Sequence, residues 1–218
     1  MKDKNIITVD GPSASGKGSL AKALAKKLNF LSLDSGLLYR AYSYCFEKSQ
    51  NHSDAKKSFL NLKINSIDHK MHVFEKNIDI TLILRSENVA KSASKLSSLK
   101  ETRDNLIAFQ RDLASGNGLV ADGRDMGTVV FPNAKTKIFL VADEEVRAKR
   151  RFAELITHNS SITLNSVVKD IRDRDDADQR RYFSPLTPAK DALVIDSSDL
   201  TEEEVLDLTI RYYTDCIK

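Results

Sequence analysis

Apolar residues in this chain fall into short β-branched runs and helical stripes, and the alternation of the two predicts its elements. Ile6, Ile7, Thr8 and Val9 form the first run. A loop holding Gly11, Pro12, Gly16 and Gly18 follows, and then Leu20, Ala21, Leu24, Ala25 and Leu28 recur at helical spacing. A second strand over 30–33 leads through Asp34, Ser35 and Gly36 into a helix over 37–46. Strand, loop, helix and strand in such close succession make a βαβ unit, so the fold class is α/β with a parallel sheet.

From 49 to 85 the pattern changes. The segments 60–64, 71–74 and 78–84 alternate or run short between Asn, Asp and Lys turns, which predicts a small antiparallel sheet inserted in the α/β frame. A polar helix is expected from 87 to about 113. The frame then resumes with strands at 118–122 and 136–142, helices at 144–155 and 165–181, a strand at 192–196 and a closing helix at 202–217. There are no internal repeats, heptads or low-complexity tracts.

Composition narrows the class. The chain has 218 residues, 41% hydrophobic and 30% charged, the balance of a globular protein able to bury a core without disulfides. Thirty-four basic against 31 acidic residues leave a net charge of +3. That is too even for a nucleic-acid coat or a polybasic membrane binder, so neither nucleic acid nor membrane is an expected partner. The longest stretch without Asp, Glu, Lys or Arg, 155–168, is rich in Ser, Thr and Asn and suits no transmembrane helix. Cys45 and Cys216 have neither metal spacing nor a disulfide framework, and the first apolar run is too short for a signal peptide. The expected compartment is a reducing cytoplasm. Distribution says more than net charge: seven of the 13 arginines lie between 147 and 181, while the 21 lysines are scattered. A local excess of guanidinium suits bidentate grip on phosphate or carboxylate; the plainer reading is a charged helix surface.

Gly11-Pro12-Ser13-Ala14-Ser15-Gly16-Lys17-Gly18-Ser19 carries the strongest chemical signal. Glycines let backbone N–H groups turn inward around a polyphosphate, the next helix adds its N-terminal dipole, and Lys17 reaches the outer phosphates. The strand before and the helix after supply the context such a loop needs. It departs from the strict pattern in which Ser or Thr follows the Lys: Gly18 stands there, and the hydroxyl comes one place later at Ser19. A metal ion is therefore expected to be held mainly by nucleotide and water, with Ser19 and Asp122 as protein contacts. Asp122 ends a strand beside the loop; its plainer reading is a turn former before Gly123.

The Lys-Gly-Ser form of the loop resembles nucleoside monophosphate kinases, and four further segments narrow the resemblance. Leu33-Asp34-Ser35-Gly36-Leu37-Leu38-Tyr39-Arg40, Ala121-Asp122-Gly123-Arg124-Asp125-Met126-Gly127-Thr128-Val129-Val130-Phe131-Pro132, Arg174-Asp175-Asp176-Ala177-Asp178-Gln179-Arg180-Arg181 and Ser184-Pro185-Leu186 are similar, in order and spacing, to bacterial cytidylate kinases. The similarity runs from Ile6 to about Tyr213. It implies a P-loop NTPase-type parallel sheet flanked by helices, an inserted monophosphate-binding region containing the small antiparallel sheet, and a short lid. On that division the core takes about 1–36, 114–154 and 182–218, the insert about 37–113, and the lid with its flanking helix about 155–181. The implied reaction moves the γ-phosphoryl group of ATP to CMP or dCMP with Mg²⁺.

By the same resemblance, Gly11 to Ser19 bind ATP; Arg147, Arg150 and Arg151 precede the candidate lid at 155–166, where they would either close over the ATP phosphates or form a basic helix face. Arg40, Arg124 and Arg181 grip the CMP phosphate, and Ser35 positions the nucleotide. Ser94, Arg103 and Asp125 match positions that recognise the cytosine ring; Arg174 and Asp178 match contacts to sugar and phosphates. Lys17, Arg124 and Arg181 form the implied catalytic set. The chemistry agrees. A phosphate oxygen acceptor is already ionised at neutral pH and needs no general base, and His52, His69, His72 and His158 lie in no motif.

Plainer readings stand beside these. Arg174, Asp178 and Arg181 at i, i+4 and i+7 share one helix face and could form a solvated salt-bridge ladder. Arg124 and Asp125 could pair with each other, and Ser94 and Arg103 could be solvated on a polar helix. Competing functions are a kinase for UMP or AMP on the same frame, or a P-loop kinase for a small-molecule hydroxyl with Asp34 or Asp125 as base. A nucleotide switch or nucleic-acid ATPase would need switch segments or a basic track. A monomer is expected, because two appendages must swing.

Overall fold

The computed structural model describes residues 5–157 and 162–218. In chain order, β1 (Ile6–Asp10) runs into α1 (Lys17–Leu28), β2 (Leu31–Asp34) and the long α2 (Ser35–Ser49). Then come α3 (His52–Leu60), β3 (Lys63–Ile67), β4 (Lys70–Glu75), β5 (Ile78–Asp79), the single turn α4 (Thr81–Leu84), α5 (Glu87–Leu96) and α6 (Lys100–Asp112). β6 (Leu119–Gly123), β7 (Thr136–Val141), α7 (Glu144–Ile156), α8 (Leu164–Arg180), β8 (Leu193–Asp196) and α9 (Glu202–Ile217) complete the order.

Five strands form a parallel sheet in the order β2-β6-β1-β7-β8. Every residue of β1 and β6 is buried, because helices cover both faces of the sheet. The two-residue period of the strands divides the core between those faces. Ile7, Val9, Val120, Ile138 and Leu140 pack with Leu20 and Leu24 of α1 and Val205 and Tyr213 of α9. Ile6, Leu33, Leu119 and Ala121 pack with Leu37 and Leu38 of α2 and Leu106 of α6. The antiparallel sheet β3-β4-β5 contributes Met71 and Val73 to this second cluster, beside Tyr42 and Phe59. It therefore docks on α2 rather than building a core of its own. β1 lies between β6 and β7, where the strand order reverses. The loops after β1, β2 and β6 all open at the carboxyl ends of the strands, the crevice where open α/β sheets bind ligands.

The middle of the chain departs from the expected elements. Residues 52–60 form a helix that the short apolar run at 60–64 concealed. Asn51 caps it by accepting from Asp54 N at 3.1 Å, but only Ala55 and Phe59 are buried, too thin a stripe to read. The expected strand at 78–84 stops after Asp79. There Thr81 N donates to the Asp79 carboxylate at 2.8 Å and Val73 N donates to Thr81 Oγ1 at 3.0 Å, turning the chain into α4. The expected helix at 87–113 is two helices, broken at Ser97–Leu99, where Leu99 is extended with ψ 130°. A π-helical turn, Met126–Val130, follows β6. Met126 N and Gly127 N each donate to the Asp10 carboxylate at 2.8 Å, which pins that turn to the end of β1.

Of the expected lid, 158–161 and with them His158 lie outside the described residues. α8 opens with a capping box in which Thr163 and Ser166 exchange side-chain and backbone bonds. It ends at Arg180, so Arg181 is not in the helix but is the extended residue just past it, with ψ 134°. No helix among the described residues is long and apolar enough to cross a membrane.

Candidate active site

The loop from Gly11 to Gly16 is shaped by close packing. A Cβ on Gly11 would lie 2.1 Å from the Leu140 carbonyl oxygen, so no other residue fits there. Gly16 caps α1 in the left-handed region, with φ 88°. Lys17 Nζ donates to the Pro12 carbonyl at 2.9 Å, folding the lysine over its own loop, while the Ser19 hydroxyl lies on an exposed residue one turn along.

Beside this loop a cavity of about 180 Å³ gathers Ser35, Arg40, Ser94, Arg103, Arg124, Asp125, Arg174, Asp178 and Arg181, together with Lys17 and Asp122. Besides the loop that carries Lys17, four separate pieces of chain bring them there. The N-terminus of α2, capped by Asp34 accepting from Leu37 N at 2.9 Å, presents Ser35 and Arg40. Arg40 is steadied by the Leu84 carbonyl at 3.1 Å. The break between α5 and α6 brings Ser94 and Arg103, the end of β6 brings Asp122 to Asp125, and α8 with its exit brings the rest.

The electrostatics are lopsided. Seven cationic side chains line the cavity against four carboxylates. Arg124 Nε donates to Asp178 at 2.7 Å, and Arg181 Nη1 lies 3.6 Å from the other oxygen of the same carboxylate. Burial opposes the charge on Asp178, but Arg124, Arg181 and Arg174 outweigh it and hold the pKa below the usual carboxylate value. At Arg103 burial is likewise outweighed, by Asp125 and Tyr39, but four other cations are lowered. Burial, then the charge of Arg124, lowers Arg174 to about 10, and the same two causes lower Lys17. Arg40 and Arg181 are lowered as well, burial first. Nε and Nη2 of Arg181 are buried and have no hydrogen-bond partner among the described residues.

At the far end of the cavity Arg103 is buried and held on three edges. Nε donates to Ser184 Oγ at 3.0 Å, Nη1 to the Ser97 carbonyl at 3.0 Å, and Nη2 to Asp125. Its guanidinium lies over the Tyr39 ring, 5.5 Å from the centroid. Arg124 and Asp125 do not pair with each other: Arg124 turns to Asp178, and Asp125 turns to Arg103.

Arg147 stands elsewhere than expected. It is buried behind the loop, donating to the Ala142 carbonyl at 2.9 Å, to the Ser13 carbonyl at 3.1 Å and to Asp175. Asp175 in turn accepts from Ser13 N at 3.1 Å, so the pair clamps the loop to α8 instead of presenting a charge to the cavity. Arg150 donates to the Ser197 carbonyl at 2.7 Å and lines a second hollow of about 200 Å³, on the side of the loop formed by Ala14, Ser15, Gly16 and Ser19. Arg151 bridges Glu87 on α5 and Glu154 on its own helix. Asp10, Asp175, Tyr39, Ser97 and Ser184 were not picked out by the sequence reading. Tyr39, Asp175 and Ser184 sit inside the quoted motifs, where spacing alone does not separate a residue that touches a ligand from one that holds its neighbour.

For a divalent cation, Asp122 and Asp34 are register partners on adjacent strand ends. Burial, then the charge of Asp34, pushes Asp122 up, a repulsion that a cation between them and a nucleotide would relieve. Among the described residues no group of three or more His, Cys, Asp or Glu side chains forms a cage, so the residues fit a metal that arrives with the nucleotide.

Known proteins share this fold and much of this sequence. A crystal structure of an uncharacterized protein from Eubacterium ventriosum covers 97% of the chain with a TM-score of 0.53 at 13% identity, covering 99% of its own length, a likeness of fold. A curated cytidylate kinase of Protochlamydia amoebophila (strain UWE25) is 43% identical over 98% of this chain and 97% of its own length. One of Pasteurella multocida (strain Pm70) is 42% identical over 97% and 96%. The family model described as cytidylate kinase matches residues 7–215. With that model spanning nearly the whole length and these relatives at least 42% identical, the chain belongs to the cytidylate kinase family.

Proposed function

We propose that this enzyme transfers the γ-phosphoryl group of ATP to CMP and dCMP, with the donor on the 11–19 loop and the acceptor in the arginine-lined cavity. The observation that carries the reading is the surplus of buried positive charge, above all the two unpartnered donors of Arg181. A polyphosphate donor and a monophosphate acceptor brought together are the ligands such a surplus suits, whereas an uncharged hydroxyl acceptor would leave it unbalanced.

The acceptor oxygen is already ionised, so the chain's contribution is positioning and charge. Lys17, released from the Pro12 carbonyl, meets the outer donor phosphates. Arg124 and Arg181, oriented by Asp178, face the phosphoryl group as it passes, and Arg40 and Arg174 hold the acceptor phosphate. Ser35 steadies the nucleotide. Ser94, Arg103 and Asp125 read the base, and Asp178 with Arg174 lies along the sugar. The second hollow beside Arg150 takes the base of ATP, with Arg151 near the phosphates only when its pairs with Glu87 and Glu154 open. Asp122 and Ser19 would hold Mg²⁺ together with the nucleotide, and the ion would supply neutralisation of phosphate charge. Residues 37–113 act as the monophosphate-binding region, and 155–181 as the lid with its flanking helix, beside a core of 1–36, 114–154 and 182–218. The enzyme works as a monomer in the cytoplasm.

ATP consumption measured with CMP, dCMP, UMP, AMP and no acceptor tests this. CMP and dCMP should be turned over well above the rest, and a Lys17→Met protein with an unchanged melting temperature should be inactive with both. Equal or faster turnover of UMP or AMP would overturn the acceptor assignment.

A further inference from the structure

We propose that Ser184 is a specificity-positioning residue, whose hydroxyl sets the plane in which the Arg103 guanidinium meets the acceptor base. The proposal rests on the reading of Arg103 as a base-facing residue and adds a part to it.

An arginine offers five N–H donors from one rigid plane. Three of them here are taken by Ser184 Oγ, the Ser97 carbonyl and Asp125, which leaves two to point at a ligand. A guanidinium can only donate. It suits the ring nitrogen and carbonyl oxygen of cytosine, both acceptors, and it opposes the N–H that uracil carries at the same ring position. That discrimination depends on direction, because a donor swung out of line loses most of its hydrogen bond. Asp125 and Ser97 hold the two terminal nitrogens, whereas Ser184 alone holds Nε, the atom about which the plane tilts.

The backbone at Ser184 supports a positional role. Its φ is 53°, left-handed, and Pro185 follows, a combination that a residue with a Cβ seldom adopts. Glycine would sit there with less strain but could not reach Arg103. The conformation is kept by the chain after it: Leu186 is buried, and its N–H donates back to the Asp178 carbonyl at 2.9 Å. Asp178, which orients Arg124, and Ser184, which orients Arg103, are thereby tied together within one short stretch after α8. Phosphate grip and base reading share one anchor.

Steady-state kinetics with CMP or UMP varied at saturating ATP test this on the parent, Ser184→Ala, Ser184→Gly and Arg103→Ala, each with a thermal melt. The loss of one hydrogen bond to a charged group predicts a CMP KM raised roughly 5- to 20-fold in both Ser184 variants, with kcat within about twofold and the ATP KM unchanged. The CMP-over-UMP ratio of kcat/KM should narrow by a similar factor. Ser184→Gly should melt at or above the parent temperature, which separates the effect from unfolding. A ratio kept in both Ser184 variants but lost in Arg103→Ala would overturn the role of Ser184 alone. A ratio kept in Arg103→Ala would overturn the base reading itself, and this proposal with it.

Discussion

Arg147 and Arg181 stand at the two ends of the stretch that holds seven of the chain's arginines, and the fold treats them oppositely. Arg147 is buried against the Ala142 and Ser13 carbonyls and the Asp175 carboxylate. Arg181 is buried with Nε and Nη2 unpartnered, sharing Asp178 with Arg124 at 3.6 Å and touching Ser97 Oγ at 3.4 Å. Burial is similar; the remaining hydrogen-bond capacity is not. An arginine whose Nε and Nη1 donors are all met by the protein, as in Arg147, orders the fold. One whose donors are left over, among like charges, is arranged for an anion.

Removing a partner separates the two cases most sharply at Arg147. Asp175→Ala would leave Arg147 buried without its carboxylate and Ser13 N without its acceptor. Breaking a buried pair in this way costs about 3–5 kcal/mol, read as a fall in the urea midpoint at constant slope. Asp175→Ala combined with Arg147→Met should recover part of that loss. A single variant within about 1 kcal/mol of the parent would show that the clamp is not structural.

Arg181 should answer the other way. Arg181→Lys keeps the charge but not the planar pair of donors. Its expected signature is a fall of about 100-fold in kcat/KM for CMP, roughly 2.7 kcal/mol, with an unchanged melting temperature. If that variant stays within about twofold, or if it melts early while turning over normally, the contrast with Arg147 fails.

The sequence makes the frame legible because its strands and helices have strong periods: β1, α1, β6, β7, α7 and α9 fall within a residue or two of where the pattern places them. The α3 to α6 region is harder to read, since its helices bury few residues and its turns depend on contacts such as Val73 N to Thr81 Oγ1, made eight residues apart. Much the same holds for the site. Motif spacing names seven residues that the fold brings to one cavity, and the family resemblance adds Ser94 and Arg103. It does not reveal that Arg147 faces Asp175 rather than the cavity, because both lie in arginine-rich helices whose partners are set only by how α7 packs on α8. Nor does it show Arg181 leaving the helical ladder, since a helix end depends on the extended turn that leads to Ser184.

Asp10 supplies the smallest effect and the acidic counterpart of the comparison. Asp175 is buried against a guanidinium, whereas Asp10, 5% exposed, has two backbone N–H donors and, among the described residues, no cation bonded to it. Burial raises its pKa from 3.8 to about 6; the bonds from Gly127 and Met126 oppose the rise, Asp125 adds to it and Arg124 subtracts. Because the folded pKa is the higher one, the folded state binds the proton more tightly. The group's stabilising contribution is therefore complete below pH 3.8 and is lost as pH rises through about 6. Between pH 5 and pH 7 that loss amounts to roughly 1 kcal/mol. Asn does not titrate, so unfolding free energies of the parent and Asp10→Asn, measured side by side, isolate the group from every other. The parent should lose ground against the variant by about that amount over those pH values. A difference that stays flat would mean that the two N–H bonds satisfy the carboxylate as completely as a guanidinium does, and partner type would then not distinguish Asp10 from Asp175.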